Sequence, residues 1–240
     1  AKSGGTEFGR QAHVGLSGGF GKVALGRTTT VYDDARALAV LYSVFDSSFT
    51  PANNGVFGTG GDYASRASSQ IRYDLPNLGG VYGGLTYAFD QKADVDSSIV
   101  GLLLGYKAGP LNLALGYQNQ KETSDKYLQL AGAYDLGPVA LSLGYNTRSG
   151  TDAKGDDNEL TLGVEVPLGA VKLSAGYATS KTEIGGATSV KASGFALGAT
   201  YSLSKRTRLY AAYRDVDSED GTGKSVSKSS LLGLGIRHDF

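Results

Sequence analysis

The chain contains no cysteine, no methionine and no tryptophan among its 240 residues. Without cysteine it has no disulfide, no thiolate metal site and no cysteine nucleophile. Histidine is nearly absent too: His13 and His238 are far apart in sequence and fall at strand positions. They offer neither the paired imidazoles of a zinc site nor a general base with an orienting partner, so no catalytic residue, metal or cofactor is expected. Charge of one sign is also lacking, since 23 basic side chains balance 23 acidic ones, and no basic cluster marks a nucleic-acid surface. Nor is there an apolar run approaching the roughly 20 residues of a membrane helix. Membrane-spanning strands stay open, because each needs only about 9–11 residues with one apolar face. The glycine-rich piece Gly58-Thr59-Gly60-Gly61 has no helical pattern after it, so a nucleotide-binding turn is not indicated. The chain begins at Ala1 with neither an initiator methionine nor a signal peptide, which points to an N-terminus that was processed, truncated or engineered.

What is present is glycine, 36 residues, and tyrosine, 15 residues, set in a period-two rhythm. Val100, Leu102, Leu104 and Tyr106 alternate with Ile99, Gly101, Leu103 and Gly105, and a turn follows at Ala108-Gly109-Pro110. Leu111, Leu113, Leu115 and Tyr117 then alternate with Asn112, Ala114, Gly116 and Gln118. The unit recurs with turns at Leu136-Gly137-Pro138, Pro167-Leu168-Gly169 and Ser204-Lys205-Arg206. One face of every strand is apolar; the other is small and polar, which suits a wet interior. Turns at one end are short, whereas the connections Asp90–Ser97, Gln120–Asp125, Arg148–Asp157, Ser180–Val190 and Asp215–Val226 read as long polar loops at the other. Tyr106, Tyr134 and Tyr201 precede tight turns, and Tyr87, Tyr117, Tyr145, Tyr177 and Tyr213 end the return strands. Two aromatic girdles, one at each rim of an up-and-down barrel in a membrane, account for that bias. The expected fold is therefore all-β, a transmembrane antiparallel up-and-down β-barrel of about 12–13 strands in one domain spanning residues 1–240. A lipocalin-like soluble carrier would need the reverse assignment, with the apolar face inward.

Thr28 to Tyr63 breaks the rhythm. A connection this long inside an all-β chain is usually functional or disordered; here the reading is a constriction loop, residues 28–63, that folds into the barrel and turns its charges toward the wall.

Three stretches carry a family resemblance: Phe8-Gly9-Arg10-Gln11-Ala12-His13-Val14-Gly15-Leu16 with Leu25-Gly26-Arg27, then Arg72-Tyr73-Asp74-Leu75-Pro76-Asn77-Leu78-Gly79-Gly80, and Gly235-Ile236-Arg237-His238-Asp239-Phe240. From Phe8 to Phe240 the chain resembles the general porins of Gram-negative outer membranes, most nearly the β-proteobacterial type. The resemblance implies a sixteen-stranded trimeric barrel that admits ions and small hydrophilic solutes by passive diffusion through a water-filled channel, with outer-membrane lipid and lipopolysaccharide as its surroundings. It also implies a terminal aromatic, Phe240, that serves as the assembly signal. By motif, Arg27 and Arg72 match wall arginines of the constriction, and Arg66 joins them by its alternation with Arg72. The facing acids come from Asp33, Asp34, Asp46 and Asp62; the acidic Pro-Glu-Phe-Gly type tip of enteric members has no copy here.

The family's first three strands have no counterpart, and Ala1 to Glu7 reads as the tail of an external loop. With thirteen strands, the first and last run in the same direction, so the expected form is a family porin lacking its N-terminal strands. The competing readings are a plugged or incomplete structural barrel acting as adhesin or anchor, and a substrate-specific channel. A protease or acyl hydrolase at the barrel rim would need a histidine with Ser or Asp partners, and neither histidine is placed for that.

Overall fold

The computed structural model describes residues 9–41, 63–90, 94–151 and 155–239. Ala1 to Phe8, Asp46, Asp62 and Phe240 lie outside these, and with them the expected loop tail, two of the loop acids and the assembly signal.

The alternation read from the sequence becomes thirteen strands in one sheet whose spatial order is the chain order. The first two are β1 (Ala12–Gly18) and β2 (Gly21–Thr29); the helix α1 (Val31–Ala39) follows, and then β3 (Arg66–Asp74) and β4 (Val81–Ala88). Next come β5 (Ile99–Ala108), β6 (Leu111–Gln120), β7 (Asp125–Asp135) and β8 (Ala140–Ser149). The last five are β9 (Asp156–Leu168), β10 (Val171–Ile184), β11 (Ala187–Ser202), β12 (Thr207–Asp220) and β13 (Ser225–His238). Every neighbouring pair is antiparallel. No pairing joins β1 to β13 among the described residues. Because the strand number is odd, those two edges point the same way.

Burial separates the two faces of each strand as the pattern requires. On β5, Leu102 and Leu104 are 43% and 53% exposed, while Leu103 between them is 5% exposed. The same holds for Leu141, Leu143 and Tyr145 against Ser142 and Asn146 on β8. The exposed row is the apolar one and the covered row is small and polar, the reverse of a lipocalin. In a bilayer only an apolar row can face the acyl chains.

Two expected loops are strand instead. The alternation continues past Ser180 and past Asp215, so that β10 and β11 join at Gly185-Gly186 and β12 and β13 at Gly221–Lys224. Gly185 and Gly186 both have positive φ, 60° and 78°, as a two-residue primed hairpin turn demands. Threonine, serine and lysine alternate here without an apolar row, so the stretch reads as loop although it remains compatible with strand pairing. At 13 to 16 residues, β9 to β13 outrun the roughly 9–11 that cross a membrane. Arg148 and Asp157, also taken as the ends of a loop, are strand residues that meet across β8 and β9.

Candidate functional site

The segment after β2 opens with a helix that the strand-period reading does not detect. Its signal was available: Val31, Ala35, Leu38 and Ala39 recur at helical spacing, with Asp33 and Asp34 in the first turn, where the positive end of the helix dipole favours acids. Thr30 sits at the N-cap in extended conformation without capping by its side chain. Its Oγ1 instead donates to the Ala64 carbonyl at 3.0 Å, and its N–H donates to Ser65 O at 3.0 Å. The helix start is thereby tied to the chain returning toward β3. Wall residues add to the tie: Gln118 Nε2 donates to Ala64 O at 3.2 Å, and Gln70 Nε2 to Thr29 O at 3.1 Å.

The apolar stripe of α1 lies against the inner wall from β4 to β9. Glycines and alanines of the wall make room for it. A Cβ added at Gly116 would lie 2.7 Å from Ala35 Cβ, one at Gly101 would lie 3.2 Å from Val31 Cγ2, and one at Gly144 would collide with Ala39. Beside this seat, Tyr32 is fully buried; its hydroxyl accepts from Asn146 Nδ2 at 2.7 Å, and its ring packs edge-on to Tyr63 with centroids 4.9 Å apart. Arg36 donates to Glu159 Oε1 at 3.1 Å, with both side chains 2% exposed.

At the first turn of the helix two acids point away from the seat. Tyr63 Oη donates to Asp33 Oδ1 at 2.8 Å. Asp34 accepts from Arg72 Nη2 at 2.6 Å. The Arg72 guanidinium also donates to Asp74 at 2.7 Å and to Thr29 Oγ1 at 3.0 Å, so every nitrogen is engaged. Burial lifts the Asp34 carboxyl above its ordinary range; the adjacent Arg72 pulls it back, but not fully.

Arg72 and Asp34 are thus brought together. Arg27 is not part of that contact: its Nε donates to Gly9 O at 2.7 Å and its Nη1 to Ser68 Oγ at 2.9 Å. Arg66 is out of step as well. One extra residue near Ser69, at φ 47°, shifts the register between β2 and β3, so Ala67 pairs with Thr28 and both are buried. A bulge of this kind interrupts the strict alternation of a strand, so a parity count from Arg72 does not carry through to Arg66. The described tyrosines of the expected girdles project from the outer face; Tyr87, Tyr106, Tyr134, Tyr145, Tyr177 and Tyr201 are exposed, and Tyr117 and Tyr213 half-buried.

Besides Arg36 and Glu159, a cluster of three buried ion-pair residues escaped sequence reasoning. Arg148 lies between Asp125 at 3.2 Å and Asp157, linking β7, β8 and β9 on the inner face. Their strand parity placed all three inward, but charges at strand ends read as loop. Among the described residues no group of acids and histidines is arranged to hold a metal.

A family model described as Gram-negative porin matches residues 1–221. This chain belongs to the Gram-negative porin family. Outer membrane porin protein 32 of Delftia acidovorans is 31% identical, over 97% of this porin and 70% of that protein. An outer membrane porin of Bordetella pertussis is 29% identical over 97% of this porin and 72% of its own length. Among solved structures, the anion-selective porin from Comamonas acidovorans superposes with a TM-score of 0.79 at 27% identity, covering all of this porin and 80% of that chain. The porin is accordingly a Gram-negative outer-membrane protein whose sheet makes a channel for ions and small hydrophilic solutes.

Proposed function

We propose that residues 28–63, with α1 as their rigid first part, are the constriction of a single-domain barrel, and that Arg72 and Asp34 set the charge at its narrowest level. The observation that carries this is the 2.6 Å contact by which a lumen helix meets the wall through opposite charges. Such a pair produces a transverse field that orders water and favours polar over apolar solutes. Arginine holds its charge at every relevant pH. Asp33 belongs to the same waist through Tyr63, whereas Arg27 and Arg66 act at its margin. With Arg36 on the helix and Arg72 on the wall beside it, the reading extends to an anion preference like that named for the Comamonas relative. Family membership supports reading the porin as a trimer in contact with lipopolysaccharide, and the tyrosine rims would set the depth in the bilayer.

The test is reversal potential under a salt gradient for the refolded porin in a planar bilayer. Arg72→Gln should shift selectivity toward cations by roughly twofold or more, on the scale expected for one charge in a confined lumen. A folded R72Q barrel with the parent's selectivity would sink the assignment.

A further inference from the structure

We infer that Arg214, on the inner face of β12, is a second anion-binding station in the lumen, separate from the Arg72 level. It lies inward, because its inner-row neighbours Ala212 and Val216 are 2% and 4% exposed. Its cross-strand partners are Ala196 on β11 and Leu231 on β13, neither of which carries charge. The side chain is 6% exposed. Of its three nitrogens, only Nη2 has an acceptor, Ser229 Oγ at 3.1 Å; Nε and Nη1 are buried without one. No acidic side chain forms an ion pair with Arg214 among the described residues.

A guanidinium cannot shed its proton to escape such a site, and a buried cation without a counter-charge is strongly unfavourable. Burial of its N–H groups without acceptors adds to the cost. An anion would supply both the counter-charge and the acceptors. Its neighbours Ala212 and Ala196 are small, and the low exposure limits the occupant to a small anion of halide or carboxylate size. Ser229 completes the site: its oxygen accepts from Nη2, which leaves the hydroxyl hydrogen free to donate to the same anion.

The station lies near the far end of α1. Val40, just past that helix, packs against the cluster of Ala178, Ala192 and Val216, the last of which is two residues along from Arg214. Asp34 and Arg72 mark the first turn. The two cationic points are thus spaced along the helix, an arrangement that lets an anion leave one attractive site for another.

Bromide is the probe. Crystals of the refolded porin grown in bromide should give an anomalous peak against Nε and Nη1 of Arg214, absent in Arg214→Gln. In bilayers, R214Q should lower the anion-to-cation permeability ratio by about twofold or more, with Arg214→Lys retaining most of it. If R214Q does not fold, the bromide peak in the parent and the permeability of R214K decide. No peak, a chain carboxylate occupying the place of the bromide, or an unchanged permeability ratio in folded R214Q would each overturn the inference.

Discussion

Gly116→Ala tests whether the helix is held by the absence of wall side chains. The new Cβ would sit 2.7 Å from Ala35 Cβ and 3.3 Å from a ring carbon of Tyr32. Carbon atoms in good contact are about 3.5–4.0 Å apart, so α1 must move off the wall by roughly 1 Å or the strand must yield. The strand is clamped on both sides, Gly116 pairing with Leu103 of β5 and Gln129 of β7. Overpacking that cannot relax costs about 1–3 kcal/mol. Because the helix moves into the lumen, the change should lower both the temperature of the heat-modifiable gel shift and the single-channel conductance. Gly132→Ala is the control: it lies on the outer face, and its Cβ would meet only the flexible end of Leu113 at 3.2 Å. Ala35→Gly in the G116A background removes the offending methyl and should restore conductance. It recovers less stability, since glycine in a helix costs about 1 kcal/mol. A G116A barrel with the parent's melting and conductance would refute the seat argument.

Asp34→Asn should raise anion preference, because Arg72 keeps Asp74 at 2.7 Å while one negative charge leaves the lumen; the sign of the reversal-potential shift decides it. Acidification should mimic that substitution. Protonation removes the Asp34 charge, and because burial raises its pKa, anion preference should climb at a pH above the ordinary carboxylate range, a step that D34N must lack. Breaking the buried Arg36–Glu159 pair by Glu159→Gln should cost about 3–5 kcal/mol, the scale for removing one partner of a buried ion pair, and the double change Arg36→Met with Glu159→Leu should recover most of it in urea unfolding. Gly185→Val should loosen the β10–β11 hairpin, because a β-branched residue is strained at φ 60°; faster proteolysis at that turn is the readout.

Much of this architecture is written into local alternation. A strand residue faces one side or the other according to parity, so Leu102 and Leu104 outside and Leu103 inside follow from spacing alone. The strand number and the outward apolar row rest on that period, and the porin resemblance on three motif stretches. Parity fails where the chain departs from it. The bulge at Ser69 interrupts the alternation between Arg66 and Arg72, a change that depends on how β2 and β3 register and leaves no mark in the spacing. The polar stretches after Ser180 and Asp215 read as loops because their pairing comes from the neighbouring strand, not from an apolar row. The helix α1 was legible at period 3.6, but its place was not. Only the meeting of Val31, Ala35 and Ala39 with glycines from β5, β6 and β8 puts Asp34 beside Arg72, because a non-local packing surface is defined jointly by segments that share no sequence neighbourhood. For the same reason the charges of Arg148 and Arg214 could be counted from composition, while what surrounds them depended on strands brought together across the sheet.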